Sequence, residues 1–248
     1  AFVVTSIASH AATIVIGPST VEGSSEIGEP VNGYGSVSGN TVQFVLTNSI
    51  LTALQNSNIT GLAFRLDNGY APTLPAFGYD QMTIQIGYTN ATDLLDLTNI
   101  NDNIAATTGA VTTYNQSFFY GPGAFPNSAQ PYSTTPNDFG PFINFTNSFG
   151  YTTGNLLVTI RHNVPITPDG QPFDFQGGYY SSDAENLNTF VVIGEGVDAS
   201  SGFNYPYTPV IAFTNDTLPA NYTVPEPSSA LLGVLGLSGV VFLRRRKA

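Results

Sequence analysis

Residues 154–162 form the stretch GNLLVTIRH. Within it, Leu156, Val158 and Ile160 occupy every second position. Successive side chains of a β-strand point to opposite faces, so these three residues would share one face of a sheet. A Gly-Asn pair, which is typical of turns, precedes the run. The stretch therefore predicts a strand whose apolar face belongs to a core.

The same period of two recurs elsewhere in the chain, in residues 42–46, 62–66 and 82–88. Shorter candidate strands are residues 13–16, 142–145, 189–193 and 209–213. Residues 49–56 and 94–97 are the two places where the pattern allows a short helical turn. About ten strands without a long helix predict an all-β fold, an antiparallel β-sandwich or jelly roll.

We expect one such domain over residues 12–221, with strands running to about residue 213. The Pro-rich segment 120–138 is expected to be a surface loop, because the strand pattern resumes on both sides of it. The residues expected to face the core are Leu62, Phe64, Ile84, Ile86, Leu156, Val158 and Ile160.

The distribution of charge excludes some classes of function. Of the six Lys and Arg residues, four lie at positions 244–247, so the first 243 residues hold Arg65, Arg161 and all 17 acids, a formal charge of −15. Such an acidic surface repels phosphate backbones, which argues against a nucleic-acid partner. The absence of cysteine excludes disulfides, Cys-ligated metals and thiol catalysis.

The first eleven residues, AFVVTSIASHA, are small or apolar and carry no charge. They are typical of the end of a signal peptide, with Ser9 and Ala11 at the −3 and −1 positions of a cleavage site. The mature chain would then start near Ala12 and keep His162 as its one histidine, since His10 is removed. The alternative is a first β-strand.

The C-terminus, residues 224–248, reads VPEPSSALLGVLGLSGVVFLRRRKA. Residues 230–243 form a run of 14 uncharged residues, which is short for a transmembrane helix of roughly 20 residues. The basic residues that follow the run are Arg244, Arg245, Arg246 and Lys247. They would hold the end of the helix on the cytoplasmic side and act as a membrane stop. We expect an isolated short helix over about residues 229–243.

Pro225-Glu226-Pro227, a short apolar helix and terminal arginines together resemble the PEP-CTERM sorting signal of Gram-negative bacteria. The resemblance implies that residues 222–248 are a sorting signal, recognised by the membrane protease exosortase, and that the tail is removed on the way to the cell surface. The alternative is a plain C-terminal anchor. More loosely, the strand order resembles the β-sandwich ectodomains often found upstream of this signal.

Few residues suggest catalysis. His162 is the one candidate for a base, and beside Arg161 at the end of a strand it is expected to be a surface or turn residue. Neither a Gly-x-Ser-x-Gly nor a His-Glu-x-x-His motif occurs. Paired carboxylates of a glycosidase could come from Asp93 and Asp96 or from Asp183 and Glu185, but solvated loops explain these acids more simply. We expect a non-enzyme without a cofactor.

A structural calcium ion is the one metal that the sequence suggests. The candidate ligands are Asp96, Asn99, Asn101 and Asp102, whose oxygen atoms suit a hard cation. The spacing is not that of an EF-hand, and turn formation by Asn and Asp explains the same residues without a metal.

Three functions follow, in order of preference. The first is a non-enzymatic exported protein, sorted by exosortase to the cell surface or the exopolysaccharide matrix, with transient membrane contact through its tail. The second is a carbohydrate-binding or adhesive module that engages extracellular polysaccharide, with sugar rings stacked on tyrosines. The candidate tyrosines are Tyr179, Tyr180, Tyr205 and Tyr207. The third is a glycan-active hydrolase. Arg65 and Arg161 are expected to form ion pairs.

Overall fold

The computed structural model describes residues 12–16, 25–27, 39–65, 76–90, 98–124, 138–164, 173–177, 191–205 and 207–217. The chain divides into two units, Ala1–Thr217 and Leu218–Ala248, and every described residue belongs to the first. The predicted leader (1–11) and the predicted tail helix (229–243) lie outside the described residues. Among the residues that are described, no helix is long and apolar enough to cross a membrane.

The described residues are mostly β-structure. The strands are β1 (Ala12–Ile16), β2 (Ser25–Ile27), β3 (Asn40–Leu46), β4 (Ser57–Phe64), β5 (Phe77–Thr89), β6 (Thr108–Tyr120), β7 (Ile143–Tyr151), β8 (Asn155–His162), β9 (Phe173–Gly177), β10 (Val191–Glu195), β11 (Phe203–Tyr205), β12 (Tyr207–Pro209) and β13 (Ile211–Thr217). One α-helix, α1 (Ile100–Ala105), and one 3-10 helix, Thr52–Leu54, accompany them. The latter falls within residues 49–56, where a helical turn was predicted.

Two antiparallel sheets share one core. The first has the strand order β1-β13-β4-β7, and the second has the order β11-β10-β3-β8-β5-β6. The chain crosses from one sheet to the other between β3 and β4, β4 and β5, β6 and β7, and β7 and β8. This alternation, with β3-β8-β5-β6 facing β1-β13-β4-β7, is the strand order of a jelly roll. A third sheet, β12-β9-β2, has three short strands.

Strand β8, the segment on which the prediction of the fold rests, lies at the centre of the larger sheet. It pairs with β3 on one side and β5 on the other, so Ile160 lies between Val42 and Ile84. All seven residues predicted to face the core are at most 1% exposed, and they belong to one cluster that draws on both sheets. The predicted register is confirmed.

The outer face of β8 and β3 is also covered, which strict alternation did not predict. Leu157 and Val45 form a second small cluster with Ile100 and Ala199, which belong to α1 and to a turn after β10. The buried Gln43 side chain fixes this cover: its Nε2 donates to the Ile100 carbonyl at 2.9 Å, and its Oε1 accepts from Asn103 at 3.0 Å. A buried polar side chain is tolerated here because both ends are hydrogen-bonded.

Strand β6 was not predicted from the sequence. It is an edge strand of 13 residues, and it shows only a sparse set of buried residues among exposed ones. Its pairing with β5 shifts register in three places, which breaks the alternation that a strand pattern needs. The three-residue strands β2, β11 and β12 were missed as strands because so short a run carries no period.

Replacing Gly39 should destabilise the protein far more than replacing another glycine whose φ is also positive. The φ of Gly39 is +80°, and a Cβ built on it would meet the carbonyl oxygen of His162 and lie 2.8 Å from the Cα of Asn163. We expect Gly39→Ala to lower the free energy of unfolding by roughly 2–5 kcal/mol, from backbone strain plus overpacking.

Gly123 is the matched control, because its φ is +68° and nothing lies within 4 Å of a Cβ there. Gly123→Ala should cost only about 1 kcal/mol, the strain alone. Urea denaturation of the two variants measures the difference, and equal losses would contradict the packing described at the start of β3.

Candidate functional site

The two ends of the sandwich differ in what they present, so each is given a name. The tail pole is the end where Ala12, Ser57, Tyr151 and Thr217 lie, since Ser57 pairs with both Thr217 and Tyr151, and Ala12 pairs with Asn215. The far pole is the opposite end, where Ile16 pairs with Ile211 and His162 ends β8. The chain leaves the sandwich towards its C-terminus at the tail pole.

An aromatic hollow lies at the far pole, where the edges of β6 and β7 part. It has a volume of about 430 Å³, and its aromatic lining is Tyr114, Phe118, Phe119, Tyr120 and Phe142. The Tyr114 and Tyr120 hydroxyls donate to the carbonyls of Ser117 and Pro141 at 2.7 and 2.8 Å. Those two rings are therefore fixed in the wall of the hollow.

Phe119 is the exposed member of this wall. Its side chain is 60% exposed, the highest value among the large apolar side chains described. Part of the ring covers Gly78, its partner across the strand pair, since a Cβ at Gly78 would lie 2.9 Å from Phe119 Cδ2. An accessible flat ring beside amide side chains is a surface on which a sugar ring can stack.

A second hollow, of about 470 Å³, surrounds Arg161 on the outer face of the larger sheet. Arg161 Nη1 lies 3.1 Å from Asp198 Oδ1, so the ion pair predicted for Arg161 is confirmed. Arg161 Nη2 also donates to Asn101 Oδ1 at 2.7 Å. The two contacts join β8 to α1 and to the turn after β10. Arg65 is buried, with its guanidinium carbon 5.9 Å from the centroid of the Phe139 ring.

The structure describes three of the four predicted calcium ligands, Asn99, Asn101 and Asp102. Asn99 directly precedes α1, Asn101 accepts a hydrogen bond from Arg161, and the Asp102 carbonyl accepts one from the Ala106 amide. Asp96 lies outside the described residues. Within the described part of the chain, no three His, Cys, Asp or Glu side chains group as metal ligands would. Calcium here stays a prediction.

The expectation that His162 is a surface histidine is wrong. Its side chain is 0% exposed, and its ring stacks on Tyr79 with centroids 4.1 Å apart. Its Nδ1–H donates to the Asn163 carbonyl at 2.9 Å, and Nε2 is buried without a hydrogen-bond partner. Burial lowers the pKa of His162 to about 4, against the smaller opposing effect of the Asn163 hydrogen bond. The ring is buried because His162 continues the alternation of Leu156, Val158 and Ile160 and so lies on the core face of β8, which stays paired on both sides to its last residue.

Most other predicted site residues lie where the structure gives no side chain. Tyr205 and Tyr207 belong to β11 and β12, but their side chains are not described. Residues outside the described part are Tyr179, Tyr180, Asp93, Asp183, Glu185, the tripeptide Pro225, Glu226 and Pro227, and the basic residues 244–247. Their predicted roles stay predictions. The aromatic hollow was not predicted, because its lining comes from the unrecognised strand β6 and from residues 141–144.

Comparison with known families bears on the tail. Residues 223–247 match the PEP-CTERM protein-sorting motif. The chain carries a PEP-CTERM signal. This confirms the resemblance and implies an exported protein that exosortase sorts, starting from a membrane-anchored precursor. No curated protein and no solved structure matches the chain.

The buried His162 should make the stability of the sandwich depend on pH. Its pKa is about 4 in the folded chain and about 6.5 when unfolded. The unfolded chain therefore binds the proton first as the pH falls, and stability is lost between about pH 6.5 and pH 4. The loss attributable to this residue is on the order of 3 kcal/mol.

Urea denaturation at pH 4, 5, 6 and 7 measures this in the native chain and in His162→Phe, which keeps a ring against Tyr79 but cannot titrate. The carboxylates contribute equally to both proteins, so the difference between the two curves isolates His162. Parallel curves would contradict the burial described.

Proposed function

We propose that the chain is a non-enzymatic exported protein, which exosortase delivers to the cell surface or exopolysaccharide matrix of a Gram-negative bacterium. The observation that carries this is the PEP-CTERM motif at residues 223–247. The motif follows the last described strand, β13, after five residues. The sandwich is then the delivered part of the protein, and the tail is its address.

The chemistry of the tail suits this role. Proline restricts its own backbone and that of the residue before it, so Glu226 between two prolines stays out of helices and sheets. An extended tripeptide is accessible to a protease. The run of residues 230–243 holds the tripeptide near the membrane, and the basic end fixes the orientation. Since the run is short, the membrane contact is transient.

Two features of the body support a non-enzymatic role. The ring of His162 is buried and kept neutral, so it cannot reach a substrate at the surface. The Asp198 carboxylate is held in an ion pair with Arg161, where it ties a turn to the sheet. His162 and Asp198 thus both help to hold the fold together.

A carbohydrate-binding or adhesive module is the second candidate, and the aromatic hollow favours it. Phe119 offers an exposed ring, and the hollow also contains the amide side chains of Gln116 and Asn144. Rings and amides together suit the faces and hydroxyls of a sugar. The hollow lies at the far pole, away from the end at which the chain continues to the sorting signal.

Exosortase processing should require Glu226. In a host with exosortase, we expect Glu226→Ala to leave a longer, membrane-associated protein with an intact C-terminus, because the tripeptide is no longer recognised. Immunoblotting with an antibody against the body and mass spectrometry of membrane and released fractions measure this. Asn221→Ala, which lies outside the matched residues 223–247, is the control and should be processed normally.

Recovery of peptides that include residues 242–248 from the released native protein would refute the sorting proposal. Identical processing of Glu226→Ala and the native chain would also contradict it.

Sugar binding should depend on the flat ring of Phe119. We expect Phe119→Leu to weaken binding to the host's exopolysaccharide by about three- to tenfold, because it loses stacking while it still covers Gly78. Phe119→Tyr keeps the ring and should bind normally. Affinity electrophoresis in gels containing the polysaccharide measures both variants. Equal retention of the native chain and Phe119→Leu would reject the hollow as a sugar site.

A further inference from the structure

The position where the sandwich ends limits what the sorting enzyme can touch. Strand β13 is bound into the sheet up to Thr217, which pairs with Ser57. Only residues 218–224 separate Thr217 from Pro225. The eight residue steps from Thr217 to Pro225 span at most about 29 Å when fully extended. The folded sandwich therefore lies within that distance of the tripeptide when exosortase holds it.

That reach is close to the length of one strand of the domain. Strand β4 has eight residues and runs from the tail pole to the far pole, a length of about 25 Å. Thr217 itself lies at the tail pole, so the tail pole is the part of the sandwich nearest to the enzyme. The far pole, with the aromatic hollow, is one strand length further away.

Among the described residues, the tail pole carries less charge than the far pole. None of the exposed residues described at the tail pole is charged; they include Ala12, Ser49, Thr52, Ala53, Gln55, Asn56, Asn90, Thr108 and Thr153. Asp216, which is half-buried, is the one acid among the described residues of this pole. By contrast, the far-pole residues Asp80 and Asp138 are exposed acids. Residues 217–225 are likewise uncharged.

We propose that exosortase docks on the tail pole of the folded sandwich while it cleaves the tail. This inference rests on the proposed function. A charge at a contact with a membrane-embedded enzyme would lose water without gaining a partner. Uncharged Asn, Gln, Ser and Thr side chains avoid this cost. The described residues of the tail pole can therefore approach the enzyme without it.

The test adds two charges at either pole and measures tail removal by pulse–chase in a host with exosortase. Ala53→Glu with Gln55→Glu changes the tail pole, and Val164→Glu with Gln81→Glu makes the same change in net charge at exposed positions of the far pole. We expect the first pair to be processed about tenfold more slowly, equivalent to about 1.4 kcal/mol, and the second at the native rate. Equal rates for the two pairs would overturn docking.

A linker separates docking from effects on export or folding. Ten Gly and Ser residues inserted after Thr217 lengthen the reach, so the charged tail pole need no longer touch the enzyme. We expect the insertion to restore processing of Ala53→Glu with Gln55→Glu. If that variant stays slow with the insertion, the charges act elsewhere and the proposal is wrong.

Cross-linking identifies the partner. Because the chain has no cysteine, Ala53→Cys and Val164→Cys each provide a unique site for a photoactivated cross-linker. In precursor trapped with catalytically inactive exosortase, we expect a cross-link to the enzyme from position 53 and none from position 164. Cross-links from position 53 to lipid alone would assign the pole to the membrane surface and overturn the proposal.

These experiments distinguish docking on the tail pole from sorting by the tripeptide. If Glu226→Ala is processed like the native chain, sorting by the tripeptide fails. If Glu226 is required but the charged tail pole is processed like its control, only docking fails.

Discussion

The structure depends on the pairing of β8 with a strand on each side. Leu156, Val158 and Ile160 enter the core between the sheets, while Leu157 lies under α1 and the turn after β10. Because both faces are buried, a slip by one residue would exchange two sets of side chains that fit different surroundings. The register of β3, β8 and β5 is therefore fixed, and the remaining strands are arranged around it. The buried His162 and the Arg161 ion pair at the end of β8 follow from the same constraint.

Much of the strand pattern and of the core could be predicted from the sequence. Some strands and buried polar residues could not, each for a physical reason. Alternation located the inner face of β8, because the apolar period of two is unbroken there. It could not show that Gln43 is buried, since that depends on α1, which comes from a segment typical of turns. His162 was expected at the surface because strand ends usually lie there, although it continues the alternation of Leu156, Val158 and Ile160 and this strand is paired to its end. Strand β6 was missed because three register shifts interrupt its pattern.

The tail and the surfaces of the sandwich differ in the same way in how far the sequence reveals them. The tail was recognised from its sequence because its meaning lies in a linear order: a proline-flanked acid, an apolar run and arginines, and the match at residues 223–247 agrees. The aromatic hollow and the uncharged tail pole have no linear signature. Each is assembled from segments far apart in the chain, and only the strand order brings the segments to the same end of the sandwich. The address could be predicted from the sequence, whereas the surfaces required the fold.

If residues 218–248 serve only as an address, as we propose, the sandwich is stable without them. Native-state hydrogen exchange of the β8 amides measures this in the full chain and in a chain ending at Thr217. We expect the amides of residues 156–160 to be among the slowest to exchange and to have the same protection in both chains. Markedly faster exchange in the shortened chain would show instead that the tail is part of what stabilises the core.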